Sequence, residues 1–274
     1  MLNLKAGKFP TEVLHRKVFG DLVFAETFYT SGQIIEQHSH KQAGFIFILN
    51  GDFLEFHEKR NRVCKSADVI FRPAGQLHAD HFKSPSTRCF NMQFGLQWIS
   101  RLQRITGDFR SEEPGYFSAG VLFQLGLKLY REFRISDLDS PLIMEGLALE
   151  MLGQTNRLLI NKRETCAAPW LKRVHERLHS QFTEQLSVPE LAVEAGVHPV
   201  YLNRAFRKQY GQSIGEYLRM LRMQFCATQL ASTSISIADI SAAAGFYDQS
   251  HFSRIFKRLS GITPLAYRRF FRKV

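Results

Sequence analysis

The sequence predicts an α+β multidomain protein with an N-terminal β-barrel, a helical middle segment and a C-terminal all-α domain. Three observations predict this class: short apolar runs broken by turn residues in the first third, apolar residues at helical spacing in the middle, and a repeated pair of helices near the C-terminus. We place the domains at 1–95, 96–165 and 166–274. A chain of 274 residues is long enough for one large or two ordinary hydrophobic cores.

The composition is that of a globular protein, because 45% of the residues are hydrophobic and 22% are charged. The longest uninterrupted apolar run, 45–49, has the length of a strand, so we expect no transmembrane helix. The four cysteines form no CxxC pair, and no extended apolar stretch precedes Pro10. Scattered cysteines without a secretory signal are typical of the reducing cytoplasm, where we expect this protein.

The N-terminal part predicts strands from about residue 22 to residue 94. Apolar and polar residues alternate in 53–56 and in 89–94, which places alternate side chains on one face of a sheet. Glycine, proline and aspartate interrupt the apolar runs at 51–52 and 73–75, where they supply turns. Several short strands with frequent turns indicate an antiparallel barrel or sandwich.

The middle segment, 96–165, changes to helical spacing. Apolar residues recur three or four positions apart in 121–133 and again in 147–159. The polar run 162–165 is a candidate linker to the C-terminal domain. The apolar faces are large enough to pair with a second copy, so we expect a homodimer; packing of these faces against the barrel of the same chain is the alternative.

The C-terminal part contains an internal repeat. Residues 191–196 correspond to 240–245 at an offset of 49, and residues 202–208 correspond to 252–258 at an offset of 50. Each unit consists of a short alanine-rich helix, a glycine, and a second helix with the pattern apolar–x–Arg–x–Phe–basic. We expect the glycine to take the positive φ that a tight turn between two helices needs. The repeat therefore predicts two helix-turn-helix units.

The second helix of each unit predicts an outward basic face. In unit one, Leu202 and Phe206 lie four residues apart and face the core, so that Arg204 points outward. Residues 166–274 hold 15 Lys and Arg against 7 Asp and Glu, a surplus that favours a polyanion as partner. A basic helix of this kind fits the major groove of double-stranded DNA. Two ordinary helical hairpins with solvated charged faces are the alternative.

Residues 245–269 resemble the signature of AraC/XylS-type transcription regulators. Unit one, with 214–218 and Arg222 on the connecting helix, is similar to the first half of the same domain. The resemblance implies a seven-helix module whose recognition helices, 199–209 and 248–259, enter successive major grooves.

The same resemblance implies which residues contact DNA. The candidates for reading bases are Val200, Asn203, Arg204, Gln249, Ser250, His251, Ser253 and Arg254. The candidates for holding phosphates are Arg207, Lys208, Lys257 and Arg258. Unit one departs from the family pattern where His198 replaces the usual Ser or Asp, so we expect a weaker helix N-cap there.

A second resemblance concerns the N-terminal part. Gly32, the run 38–40 (His-Ser-His) and Gly51 resemble the first cupin motif, and 73–78 resembles the second. The resemblance implies a cupin-like sensor domain, which is common at the front of AraC-type proteins.

Three histidines of these motifs are candidate effector-binding residues. His38 and His40 point to the same face of a strand because they lie two residues apart, and His78 is expected to join them. We predict that they bind a small-molecule effector without a cofactor. Two alternatives stay open: a structural role, and a divalent metal held by the three imidazoles. The glutamate ligand of the cupin pattern is missing, because Gly44 and Phe45 stand in its place.

Taken together, the residues and the two resemblances predict a sequence-specific DNA-binding transcription regulator that is gated by a small-molecule effector. RNA polymerase is a further expected partner, and we expect no enzymatic activity or membrane association. No Ser-His-Asp order, phosphate loop or paired acidic residues support hydrolytic chemistry. The competing hypotheses are a cupin-type metalloenzyme with a basic tail and an architectural DNA-binding protein without a ligand.

Overall fold

A computed structural model of the chain describes residues 2–5, 7–57, 60–106, 113–118, 120–164 and 168–272. The chain divides into an N-terminal unit, Met1–Ser118 with Leu129–Leu152, and a C-terminal unit, Ala119–Lys128 with Gly153–Val274. The division at 1–95, 96–165 and 166–274 stays a prediction, and its boundary between 165 and 166 lies outside the described residues.

The N-terminal unit is built from two sheets. Their strands are β1 (Leu2–Leu4), β2 (Glu12–Phe19), β3 (Leu22–Thr30), β4 (Ile34–His40), β5 (Gly44–Asn50), β6 (Asp52–His57), β7 (Arg60–Lys65), β8 (Asp68–Arg72), β9 (His78–Phe82), β10 (Ser86–Phe94) and β11 (Gly115–Ser118). One sheet has the order β1-β4-β9-β6-β7, and the other has the order β11-β8-β5-β10-β3-β2.

The predicted N-terminal β domain is confirmed, with one correction to its shape. In the described part of the chain, no strand of one sheet is hydrogen-bonded to a strand of the other, so the two sheets do not close into the expected barrel. Each sheet instead ends in edge strands, β1 and β7 in one and β11 and β2 in the other. The arrangement is that of two packed layers.

The central strands of the six-stranded sheet are buried on both faces. On the face toward the other sheet, Tyr29 stacks on Phe82 with their ring centroids 3.9 Å apart. On the opposite face, Phe90 packs 4.9 Å from Phe133. Consequently every residue of β10 after Ser86 is buried, rather than every second one as the alternation in the sequence suggested. Each buried phenylalanine contributes about 1.5–3 kcal/mol to stability.

The remaining described elements are helices. Their bounds are α1 (Leu96–Thr106), α2 (Val121–Ile135), α3 (Ser140–Glu164), α4 (Pro169–Ser180), α5 (Val188–Ala195), α6 (Pro199–Tyr210), α7 (Ile214–Ser232), α8 (Ile237–Ala243), α9 (Gln249–Ser260) and α10 (Pro264–Arg272). Among the described residues we find no helix whose length and hydropathy together suffice to span a lipid bilayer.

The middle segment differs from its prediction in two places. Strand β11 lies in a stretch expected to be helical, and it pairs with β8 through Gly115 opposite Phe71. Residues 162–164, expected to be a linker, continue helix α3. Nothing in the local sequence encodes β11, because it is an edge strand whose partner, β8, lies more than forty residues away.

The C-terminal unit contains helices α4 to α10, the seven-helix arrangement that the family resemblance implies. Side-chain caps fix where several of these helices begin. Ser187 and Ser213 each form a capping box with the glutamate three residues later, and Ser236 and Asp248 cap α8 and α9. Each cap contributes about 1 kcal/mol. The sequence thus positions its helices locally, before any tertiary contact is made.

Candidate nucleic-acid interface and histidine cluster

Two helix-turn-helix units are present at the predicted positions. Helices α5 and α6 form unit one, and helices α8 and α9 form unit two. Their turn glycines, Gly196 and Gly245, have φ of 66° and 76°, as expected from the repeat. A β-carbon on Gly245 would lie 2.3 Å from the carbonyl oxygen of Thr183, so only glycine fits there. No such neighbour is found around Gly196.

The second helices of the two units correspond residue for residue at an offset of 50, since they begin at Pro199 and Gln249. The fourth and eighth residues, Leu202 and Phe206 in α6, are fully buried, as are their counterparts Phe252 and Phe256 in α9. In α9, Ile255 and Ser260 are also buried beside the two phenylalanines, whereas Leu259 is half-buried.

The sixth residue of each helix is an exposed arginine. Arg204 in α6 and Arg254 in α9 project from the face opposite the buried one, and neither forms an ion pair with a described residue. The other exposed candidates of these helices are Val200, Arg207, Lys208, Gln249, Ser250, His251, Lys257 and Arg258; Ser253 is half-buried. The outward faces are therefore basic and polar, as the sequence indicates.

Asn203 is half-buried and takes part in the fold. Its side-chain oxygen accepts a hydrogen bond from the backbone N–H of Ile214 at 3.1 Å, at the first residue of α7. This contact ties α6 to the helix that follows it. The side-chain oxygen, which would contact an adenine in base readout, is thus already engaged.

His198 acts as the N-cap of α6. Its Nδ1 atom accepts a hydrogen bond from the backbone N–H of Val200 at 3.3 Å. The serine caps of α5 and α7 are similarly long, at 3.3 and 3.4 Å, so the weaker cap stays a prediction.

Arg222 was noted in the sequence only through the family resemblance, and the structure gives it a contact network. Its guanidinium donates hydrogen bonds to the carbonyl oxygens of Phe182, Glu184 and Gly245 at 2.8, 2.7 and 2.9 Å. Arg222 therefore joins the turn of unit two to the segment before α5, by way of α7. Partial burial lowers its pKa from the ordinary value of 12.5.

The three predicted histidines lie together in the N-terminal unit. His38 on β4 is directly opposite His78 on β9, and His40 follows two residues later on the same face. The ring centroids of His38 and His78 are 4.1 Å apart, and His40 lies 5.2 and 5.5 Å from them. His38 and His78 are buried, and His40 is half-buried.

Burial keeps the three imidazoles neutral. Removal from water lowers the pKa of each from 6.5, and the positive charge of Arg72 lowers it further. For His40 the pKa falls to about 3. Neutral imidazoles retain a lone pair on one ring nitrogen, which accepts hydrogen bonds or binds metal ions.

Three charged residues that the sequence did not single out surround the cluster. Arg72 and Glu55 form a buried ion pair at 2.5 Å. Asp80, also buried, places Oδ2 at 3.8 Å from Nε2 of His78, and burial raises the pKa of this carboxyl to about 7 against the opposing charge of Arg72. The only signal in the sequence for Asp80 is its place two residues after His78, on the same face of a strand.

The first of the comparisons with known proteins concerns the C-terminal part of the chain. Residues 191–269 match the family model of a helix-turn-helix domain. The Msm operon regulatory protein of Streptococcus mutans is 34% identical over 132 residues, which cover 44% of this chain and 48% of that protein. The chain thus spans about half the length of this relative.

Two further comparisons extend over most of the chain. The structure of ToxT from Vibrio cholerae covers 93% of this chain and 100% of its own, at 12% identity and a TM-score of 0.39, values too low to support an argument. The HTH-type transcriptional activator RhaR of Escherichia coli K12 is 31% identical over 254 residues, 86% of this chain and 87% of that protein. This identity over nearly the whole of RhaR, together with the two helix-turn-helix units, shows that the chain belongs to the AraC-type family of DNA-binding transcription regulators.

Proposed function

We propose that Arg204 and Arg254 read base edges in successive major grooves and that the N-terminal unit gates this binding in response to a small-molecule effector. The observation that carries the proposal is the equivalence of the two arginines. Each is the exposed sixth residue of a helix whose fourth and eighth residues anchor it in the core. Arginine donates two hydrogen bonds to the O6 and N7 atoms of guanine, the commonest specific contact in the major groove.

The other exposed residues supplement these two arginines. Val200, Gln249, Ser250 and His251 lie in the first turn of their helices, the part that contacts bases in helix-turn-helix complexes. Val200 is apolar and 69% exposed, so its partner is a thymine methyl group. Phosphates are held by Arg207, Lys208, Lys257 and Arg258, which lie toward the C-terminal ends of the same helices.

Arg207 also has a partner within the protein. It lies 3.3 Å from Glu216, and both side chains are exposed. An exposed ion pair of this kind contributes at most about 1 kcal/mol to stability. A DNA phosphate can therefore replace the carboxylate of Glu216 as the partner of Arg207.

The effector part of the proposal rests on the histidine cluster. His38, His40 and His78 lie in the interior between the two sheets, where apolar side chains and the buried charges of Arg72 and Asp80 line the same cavity. A ligand that binds there shifts DNA binding only by as much as its affinity differs between the two states of the protein. No enzymatic activity is proposed, since the relatives are transcription regulators.

A homodimer in the cytoplasm, with RNA polymerase as a further partner, completes the proposal. The support for a dimer comes from α3, where Leu142, Ile143 and Leu149 are exposed on the surface. Leu138, just before this helix, is 99% exposed. Exposed apolar residues on one helix commonly mark a protein interface.

The DNA-reading roles are tested with arginine variants of the full chain. Fragments bound by the purified protein are first selected from a random pool, which defines an operator sequence. Arg204→Ala and Arg254→Ala should each weaken operator binding about 5- to 150-fold, the equivalent of 1–3 kcal/mol for a lost base contact, with little change on random DNA.

The matched control is Arg173→Ala, which removes an exposed arginine from α4, outside both helix-turn-helix units. This variant should bind the operator nearly as well as the original protein. If Arg204→Ala and Arg254→Ala weaken binding to operator and random DNA equally, the two arginines hold phosphates and the base-reading role is wrong.

A further inference from the structure

The histidine cluster brings three ring nitrogens close to one point. One ring nitrogen from each of His38, His40 and His78 lies within 4.8 Å of the other two. Three nitrogens that bind one tetrahedral ion at about 2.1 Å stand about 3.4 Å apart. Movement of each ring by less than about 1 Å therefore suffices to place all three around one ion.

Two of the rings are held so that Nε2 faces the cluster with its lone pair. Nδ1 of His38 lies 2.9 Å from the carbonyl oxygen of Glu36, and Nδ1 of His78 lies 3.1 Å from that of Gln76. A carbonyl oxygen only accepts hydrogen bonds, so each Nδ1 carries the proton and each Nε2 is unprotonated. Histidine ligands of metal ions are commonly supported in this way, by a carbonyl that receives the other ring N–H.

Several atoms at the cluster lack partners inside the protein. Nε2 of His78, Nδ1 of His40 and Oδ1 of Asp80 are all buried and make no hydrogen bond with any described residue. Burying a polar atom without a partner is unfavourable, and more so for a carboxylate. The three atoms are a nitrogen–oxygen donor set that a borderline metal ion would satisfy.

The charges around the cluster favour a cation. Arg72, the positive charge nearest the imidazoles, is offset by Glu55 through their buried ion pair. The carboxyl group of Asp80 lies next to His78 and adds a second negative charge when it is ionised. A divalent ion that binds here would compensate this charge and stabilise the ionised carboxylate.

The space at the cluster fits an ion better than an organic molecule. The cavity lined by the three histidines, Arg72 and Asp80 has a volume of about 20 Å³. One water-sized ligand needs roughly 10–15 Å³, whereas pockets for organic ligands measure about 300–1,000 Å³.

We propose that His38, His40, His78 and Asp80 bind one divalent first-row transition-metal ion, such as Zn²⁺ or Co²⁺, and that this ion is the signal sensed by the N-terminal unit. Asp80 supplies the carboxylate that the cupin pattern places at the position occupied here by Gly44 and Phe45. The sensing role rests on the gated DNA binding proposed above, whereas the metal site itself does not.

The metal site is tested with the full chain, purified without a histidine tag and freed of metal by a chelator. Co²⁺ is then titrated while its visible absorption and the bound metal per chain are measured. We expect saturation at about one ion per chain. His40→Gln and Asp80→Asn should each weaken Co²⁺ binding at least about 10-fold and change the absorption spectrum.

The matched control is His81→Gln, on the same strand as Asp80 but outside the cluster, where its ring packs 4.5 Å from Phe56. This variant should bind Co²⁺ like the original protein. Circular dichroism of the metal-free proteins shows whether each variant is folded. His40 is the half-buried member of the cluster, so its substitution perturbs the core least.

Three outcomes separate the metal site from its regulatory role. Absence of saturable Co²⁺ binding, or equal binding by folded His40→Gln, overturns the metal site. Specific metal binding with no change in operator affinity on loading overturns the sensing role and leaves the site intact. A protein that binds Co²⁺ but selects no DNA sequence contradicts the proposed function instead.

Discussion

Single residues in the N-terminal unit carry buried charges that hold its layers together. Glu26 on β3 is fully buried and contacts Arg88 on β10 and Arg134 on α2. The hydroxyl of Tyr130, also on α2, lies 3.2 Å from the same carboxylate. Because its partners lie on β10 and on α2, this one carboxylate joins two neighbouring strands to the helix packed on them.

Removing the charge of Glu26 should destabilise the protein strongly. Glu26→Gln keeps the size of the side chain but leaves the buried Arg88 without its counter-charge, which we expect to cost about 3–5 kcal/mol in the free energy of unfolding. Urea denaturation followed by circular dichroism measures the loss.

The control variant for Glu26→Gln is Glu145→Gln. Glu145 forms a more exposed ion pair with Arg101 of the same unit. This substitution should cost less than about 1 kcal/mol. Similar losses for the two variants would show that the buried pairs contribute no more than the exposed one.

Residue roles were predictable from the sequence only where they depend on a local pattern. The helical repeat placed Arg204 and Arg254 outward, because burial of Leu202 and Phe206 fixes the rotation of their helix. The hydrogen bond from Ile214 to Asn203 was missed, since it depends on how α6 and α7 meet. Asp80 was missed although it shares a strand with His78, because its charged neighbours Arg72 and Glu55 lie on other strands.

At the scale of the element, the two helix-turn-helix turns look equivalent in sequence but differ in their surroundings. Both glycines have left-handed backbone conformations, but only Gly245 is pressed against a neighbouring carbonyl oxygen. Arg222, which binds the carbonyl of Gly245, holds that turn in place. Unit two therefore tolerates less change at its turn than unit one does.

This difference gives a matched pair of substitutions. Gly196→Ala should cost about 1–2 kcal/mol of stability, the strain of a left-handed alanine. Gly245→Ala should cost a further 1–3 kcal/mol, roughly, because its methyl group forces the Thr183 carbonyl to move. Chemical denaturation of both variants measures the difference. Equal losses would mean that the contact with Thr183 relaxes freely.

The bounds of a helix or strand could be predicted where the residues that determine them lie close together in the sequence. Helices α6 and α9 begin and end within one residue of the predicted bounds, since their caps and apolar periodicity lie in the sequence itself. Strands β1 and β11 carry no such signal, because both are edge strands defined by pairing with distant partners. The open ends of the two sheets were missed for the same reason.

At the scale of the whole molecule, the distribution of charge determines how DNA binding depends on salt. The chain carries a net charge of +11, and most of the surplus lies after residue 165. Lys208 and Lys257 both lie in the last turn of their recognition helices. Phosphate contacts release counterions, so that the logarithm of affinity falls linearly with the logarithm of salt concentration.

Substitution of these lysines should reduce this dependence. Lys208→Ala or Lys257→Ala is expected to lower the slope by about 1 and to weaken binding to operator and random DNA by similar factors. Fluorescence anisotropy over a range of salt concentrations measures the slope. An unchanged slope would show that the lysine does not contact a phosphate, and Lys172→Ala on α4 serves as the comparison.

Helix α7 also limits where the chain can accept inserted or deleted residues. Nine of its residues are buried, and it connects unit one to unit two without a break. One amino acid inserted within it would turn all later residues by about 100° and advance them by about 1.5 Å. Helix α9 would then no longer point into the major groove that follows the one occupied by α6. Natural length variation in this part of the chain should therefore be confined to the loops around α7, whereas the helix itself keeps a fixed number of residues.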